Sequence, residues 1–529
     1  MRKYTSFPAR QCLASGQQIP TRSSRRVAQH HPLAFALALS LGTTLLGAPT
    51  LADAAGRPGQ IVASSPARPT AGSSTQGFPT LWVVENCNDS GPGSLRNAAA
   101  HALDGDGIDL SSLTCSTISV SSGAISLSDV DLTGPGADAL TIDGGGNQGQ
   151  RIFNHAGSND GALRMHGVTV HGGKYLSNAG QGGACLRSTT GQLRIYDSVF
   201  DGCIAFAPSG SSAAVRGGAI ASYGTYTQLS NVRLSNNQAR SANGSALGGA
   251  IYVNDTYASI TDSTITNNSA TSISNDTAAR GGGIFTQGGS SIARSTIDGN
   301  VSEGAGGGAW IESGGSLIAS TVSNNVSTGS ASGIGFGSRN WARVYRSTFY
   351  GNETQASTMW GSGALYMKGH ESWILDSTIA GNIESNTQGV AHASGVSFAP
   401  DLGDDFAMWS TIVHGNHLAD STAGADISGP LDGHIGGGRN LVGVAYIYMP
   451  GDTLRFVDPM LGPLQNNGGP TKTRMPASGS PAIDQGYNSG DGLDPRDVDQ
   501  RGFPRIVGFR ADIGSVEVSD ELIFADGFE

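Results

Sequence analysis

Asp401, Asp404 and Asp405, followed closely by His414 and His417, bring three carboxylates and two imidazoles into one short stretch. Carboxylates beside imidazoles are proton-transfer groups, and a pair of carboxyls flanking a sugar linkage is what glycoside hydrolysis requires. The same segment, Asp-Leu-Gly-Asp-Asp, also reads as a solvated loop. A second acidic group, Asp491, Asp494, Asp497 and Asp499, offers hard oxygen ligands for Ca2+, although it lacks the loop signature of an EF-hand. No Ser/His/Asp elbow, zinc-type Cys/His spacing or phosphate-binding glycine loop occurs. The chemistry therefore calls for no cofactor, with Ca2+ the one metal the acids fit. Whether the chain is an enzyme stays open, leaning to a non-catalytic binder. The alternative is a polysaccharide lyase or glycoside hydrolase on an acidic polysaccharide, with Asp401, Asp404, Asp405 and His414 as its catalytic set.

A binding role has its own candidates. Gly-Gly-Ala-Ile at 248–251, Gly-Gly-Ile-Phe at 282–285, Gly-Gly-Ala-Trp at 307–310 and Gly-Ala-Leu at 363–365 align Ile251, Phe285, Trp310 and Leu365 in one row. If the small residues face inward, that row forms an outward apolar and aromatic stripe, suited to sugar faces or a surface protein. If the parity is reversed, or loops cover it, the row is core.

The elements that position these residues come from internal repeats. Ser-Thr-Ile-Thr-Asn-Asn at 263–268 returns as Ser-Thr-Ile-Asp-Gly-Asn, Ser-Thr-Val-Ser-Asn-Asn, Ser-Thr-Phe-Tyr-Gly-Asn and Ser-Thr-Ile-Ala-Gly-Asn, with variants on either side. The closing asparagines are Asn237, Asn268, Asn300, Asn325, Asn352, Asn382 and Asn416. Three residues before each stands an apolar side chain, and five earlier a second, from Ile195 and Leu229 to Val344 and Ile374. A continuous strand would put positions five apart on opposite faces, so the chain bends between them if both face one core. Each repeat then supplies about three short strands, the size of one coil of a parallel β-helix. Stacked coils place like over like, and the asparagines can form an amide ladder along the axis. The expected fold class is all-β, a right-handed parallel β-helix solenoid. The amphipathic stretch Ser94–Leu103 suits a short helix capping its N-terminal end.

Outside the repeats, Arg22, Arg25 and Arg26 precede an apolar stretch from Pro32 to Leu51 and the small-residue site Ala52-Asp53-Ala54, as in a secretory signal. General secretion is expected over a twin-arginine route, because Ala28 and Gln29 replace the usual bulky apolar residues. Cleavage after Ala54 removes six of 31 basic and one of 42 acidic residues, leaving a net charge of −16. Such acidity argues against nucleic acid or anionic lipid. No later segment is apolar enough for a transmembrane helix. Cys87, Cys115, Cys185 and Cys203 remain, and proximity favours Cys87 with Cys115 and Cys185 with Cys203.

The stretch 83–96, Val-Val-Glu-Asn-Cys-Asn-Asp-Ser-Gly-Pro-Gly-Ser-Leu-Arg, with Leu-Thr-Gly-Pro-Gly-Ala at 132–137, resembles the opening of bacterial secreted β-helix proteins with polymorphic-outer-membrane-type repeats. Asp-Pro-Met-Leu-Gly-Pro-Leu at 458–464, Asn-Gly-Gly-Pro-Thr at 467–471 and Asp-Gln-Arg-Gly-Phe-Pro-Arg at 499–505 resemble the choice-of-anchor module of such proteins. The resemblance implies export and surface association, and says little of activity. The expected organisation is a signal peptide (1–54), a disordered linker (55–80), the parallel β-helix (81–457), a choice-of-anchor-like module (458–517) and a short tail (518–529) resembling a sorting motif. Expected partners are carbohydrate or a surface protein, with a monomeric chain at the cell surface or outside the cell.

Overall fold

The computed structural model describes residues 79–519 apart from 147–148, 177–180, 274–277, 338–339, 356–362, 370, 386–392, 400–404, 420–424, 430–434 and 489–497. One coil shows how the repeat folds. Tyr226–Ser230 lies in sheet 1, Arg233–Ser235 in sheet 2, Gln238–Ser241 in sheet 3 and Ile251–Val253 in sheet 4, before Tyr257–Thr261 returns to sheet 1. Sheets 1 and 2 have 13 strands each, sheet 3 has nine and sheet 4 has 11, and each strand pairs in parallel with the equivalent strand of the next coil. The protein is an essentially all-β parallel solenoid.

Bends are written in residue type. Between sheets 1 and 2, Asp197, Asn231, Asp262, Arg294, Ala319, Arg346, Asp376 and Ser410 all hold φ between 45° and 54°. Between sheets 2 and 3 the residue before each ladder asparagine is Asn236, Asn267, Gly299, Asn324, Gly351, Gly381 or Gly415, with φ from 53° to 72°. This left-handed conformation is costly for most L-residues and mild for Asn and Gly, which explains why the motif ends in Asn-Asn or Gly-Asn.

Both apolar series face one core. Val170, Phe200, Leu234, Ile265, Ile297, Val322, Phe349, Ile379 and Val413 stack in register through sheet 2, each fully buried. Ile195, Leu229, Ile260, Ile292, Leu317, Val344 and Ile374 do the same in sheet 1. Burial of such unbroken rows, at about 1.5–3 kcal/mol for each large side chain, supplies the main stabilisation.

The seven asparagines form a buried ladder. Asn325 Nδ2 donates to Asn352 Oδ1 at 2.9 Å and to the Ile297 carbonyl at 2.9 Å, while Asn325 Oδ1 accepts from the Nδ2 and backbone N–H of Asn300. The pattern repeats from Asn237 to Asn416. Cys203 N–H donates into its first rung, and the Asp426 carboxylate accepts from Asn416 at its last. Asp426 is buried, which pushes its carboxyl above the usual range. A second ladder runs through the motif's serine: the Ser263, Ser295, Ser320 and Ser347 N–H groups each donate to the next hydroxyl, and Thr411 and Asn440 continue it.

Disulfides join Cys87 with Cys115 and Cys185 with Cys203, the second pair fully buried at the ladder's first rung. The capping helix is Leu95–His101, with the Ser94 hydroxyl accepting from Asn97 N–H and Leu95, Ala98 and Ala99 buried. The described residues form one compact unit. The segment after 458 packs along sheet 2: Gln500 accepts from Thr348 Oγ1 at 2.7 Å and donates to Thr321 Oγ1 at 3.0 Å, while Ile513 and Ala482 cover Ile412 and Leu441.

Candidate functional site

The four residues of the expected stripe do not form one row. In sheet 4 Ile251 pairs with Ile284, not Phe285, and the row continues from Ile284 through Ala309 and Ile334 to Leu365, so Ile251 and Leu365 are fully buried interior residues. Phe285 and Trp310 belong to the adjacent outward row with Tyr252 and Tyr366. The register marker is the first glycine of each run: Gly217, Gly248, Gly281 and Gly306 are equivalent left-handed positions, and where the run has three glycines in place of two the reading frame slips by one. A one-residue slip exchanges the faces. The outward row is itself covered: Tyr252, Phe285 and Trp310 are at most 7% exposed, packed with Leu247 of a small fifth sheet and with Ala305 and Ala331.

The acidic candidates also part company. Asp401 and Asp404 lie outside the described residues, as do Asp491, Asp494 and Asp497. Asp405 begins the sheet 1 strand Asp405–Trp409, whereas His414 ends the sheet 2 strand Ile412–His414, beyond the bend at Ser410. The structure therefore sets these two on different faces. Asp499 is occupied as a structural acceptor, taking Arg501 Nε, Arg501 N–H, Phe503 N–H and Glu517 N–H. Its buried pairing with Arg501 leaves no oxygen directed at a metal, and no metal-holding cluster occurs among the described residues.

What the solenoid does present is the outer face of sheet 1. One outward row reads Arg194, Gln228, Ser259, Ser291, Ser316, Arg343, Trp373. Its middle holds three serines: Ser259 and Ser291 are half-buried, and Ser316, buried, donates its Oγ to Ser291 Oγ at 3.1 Å. Aromatic rings flank the serines at both ends. Tyr226 and Tyr257 stack at 6.4 Å with planes 3° apart, and the Tyr257 ring stands against Gly289, where a Cβ would come within 3.3 Å of it. At the other end Trp341 crosses Gly314, the Arg343 guanidinium lies 5.3 Å from the Trp341 ring and 4.8 Å from Trp373, and Trp373 meets Trp409 edge-on at 6.3 Å. All three tryptophans are half-buried, so each keeps an open ring surface. At Gly289 and Gly314 any side chain would meet the Tyr257 and Trp341 rings, so glycine leaves those rings their room. Hydroxyls between ring faces, with one guanidinium held at 3.4 Å by Glu371, are groups that contact sugar hydroxyls and sugar C–H faces.

At the opposite edge of this face, the bend into sheet 2 holds a cavity of about 430 Å3 lined by Asp138, His166, Asp197, Asn231, Arg233 and Asp262 among others. His166 Nε2 is 2.7 Å from Asp197 Oδ2, and Asp197 Oδ1 accepts from Asn231 Nδ2 at 2.7 Å. A carboxylate-oriented imidazole in an open cavity can move a proton. A further Asp-His-Ser chain lies inside the solenoid: His155 Nε2 is 3.0 Å from Asp129 and His155 Nδ1 is 2.8 Å from Ser188 Oγ. Ser188 is fully buried, and burial pulls the imidazole below its usual range against the Asp129 contact, so this chain is internal support closed to substrate. Residues 129, 155 and 188 sit in successive coils, and no local spacing announces them.

No protein-family model and no curated protein matches the chain. Among solved structures, a complex of alginate lyase AlyF-OU02 with G6 matches at TM-score 0.35 and 11% identity, covering 77% of this chain and 92% of that one. A match at that level carries no argument about activity.

Proposed function

We propose that this is an exported solenoid that binds an extended carbohydrate chain along the outer face of sheet 1. The carrying observation is the Trp341, Arg343, Trp373 and Trp409 cluster, which shares one face with the serine row and the Tyr226–Tyr257 stack. The serine row runs along the solenoid axis beside these rings at roughly 4.8 Å a rung, so a sugar chain lying along it meets hydroxyls and ring faces together. Export is supported by the apolar leader and two disulfides, and the resemblance of 458–505 supports a surface-anchoring role for the C-terminal segment. No helix among the described residues is long and apolar enough to cross a membrane.

The test is a glycan array with the wild type and the Trp341→Ala/Trp373→Ala double variant. The variant is expected to lose bound glycans while melting close to the wild type, since half-open rings give contact area more than core packing. Unchanged binding in the double variant would remove the site. Catalysis at the corner cavity is the second reading, favoured by the His166–Asp197 pair. It requires chain cleavage of a polysaccharide that disappears in His166→Ala, and intact polysaccharide after incubation with the wild type rejects it.

A further inference from the structure

Sheet 3 carries a separate open cavity of about 240 Å3, with Lys174, Leu176, Ile204, Phe206, Gln238 and Arg240 in its lining. Register stacks Lys174, Ile204 and Gln238 in one outward row and Leu176, Phe206 and Arg240 in the next. Lys174 and Arg240 therefore occupy opposite corners, two rungs and two residues apart. Strand spacing and rise put their Cα atoms roughly 12 Å from each other. The surface between them is apolar: Leu176 is 41% exposed, and Ile204 and Phe206 are half-buried.

Neither Lys174 nor Arg240 forms an ion pair among the described residues; Arg240 lies against the Phe206 ring at 5.6 Å. Asp143 and Asp201 sit across the bend on sheet 2, where His171, Ser235 and Asn236 engage them, and Glu303, two rungs beyond Arg240 on sheet 3, accepts from Ser272 N–H. Lys174 is one of only three lysines after residue 54, in a strongly acidic chain. Two isolated positive charges with an apolar strip between them fit an anion whose charges are separated by ring faces.

We propose that this face of sheet 3 binds a carboxylated oligosaccharide, one carboxylate at Lys174, another at Arg240, and a sugar ring against Leu176 and Phe206. Sheet 2 stands between this site and the sheet 1 face, and the proposal does not rest on that face. The experiment is calorimetric titration of the purified protein with trigalacturonate and with its neutral methyl ester. The acid form is expected to bind, more weakly at high salt, and the ester to bind roughly tenfold or more below it. Lys174→Gln/Arg240→Gln, both at the surface, should bring the acid form down to the ester's level with unchanged melting, and Trp341→Ala/Trp373→Ala should leave it as in the wild type. Absent binding of the acid form, equal binding of the ester, or indifference to the Lys174/Arg240 pair would each overturn the site. Loss in the tryptophan variant alone would assign the carboxylate to the sheet 1 face and overturn it as well.

Discussion

At the residue scale, the ladder asparagine is satisfied along the axis in both directions, so removing one leaves partners stranded above and below. Asn325→Ala deprives the Asn300 amide of its acceptor and the Ile297 carbonyl of a donor, all in a site without solvent. An unpaired buried polar group costs about 1–3 kcal/mol, so this variant should melt well below the wild type. Asn254→Ala, at an exposed position whose backbone N–H donates to the Ser222 carbonyl and is kept by alanine, should cost under about 0.5 kcal/mol. Equal shifts in paired thermal melts would refute the ladder's role. The asparagines were legible because their distance to an apolar residue is constant. The serine ladder was not, since Ser at a bend is an ordinary turn residue until the next coil lies on it.

At the element scale, sequence periodicity located the strands of sheets 1 and 2 correctly and misplaced part of sheet 4. Apolar rows flanked by a fixed Asn cannot slip, whereas a strand entered through two or three glycines can, and the slip moved Phe285 and Trp310 relative to Ile251. Which of several outward rows is exposed depends on the loops between sheets 3 and 4, and no local pattern encodes that cover. Trp310 now carries a definite expectation. Its ring lies over Gly335 and stacks on Tyr366 at 6.1 Å, beneath Arg280. Trp310→Ala should therefore cost about 3 kcal/mol in a denaturant melt and leave glycan binding unaltered; a fold of unchanged stability would mean the row is open. A bend can be tested the same way. Gly351 holds φ 66°, and Gly351→Val should cost about 1–2 kcal/mol, whereas a melt equal to the wild type would show that the bend tolerates a branched L-residue.

At the scale of the whole molecule, the motif's threonine acquires its meaning. Thr321, Thr348 and Thr378 line the outside of sheet 2, and Gln500 and Ser515 bond to them, so the C-terminal segment is fastened to the coils by side chains the repeat already supplies. That dependence was invisible in the sequence, because the partners are more than a hundred residues apart. The docked segment buries Glu517, whose carboxylate accepts from Val507 N–H and Asp512 N–H; burial, then the neighbouring Asp512, pushes its pKa up to about 7. Its ordinary value of 4.5 holds in the unfolded chain. Between these two values the folded state retains a proton that the unfolded chain has released. Stability contributed by this group is therefore largest at the acid end of the window and falls as pH rises toward 7 and beyond. Glu517→Gln carries no titrating proton, so the decline in melting temperature from pH 5 to pH 8 should be shallower in the variant than in the wild type. Identical slopes in the two proteins would show that Glu517 stays ionised in the fold, its carboxylate compensated by the backbone donors and the Arg505 charge.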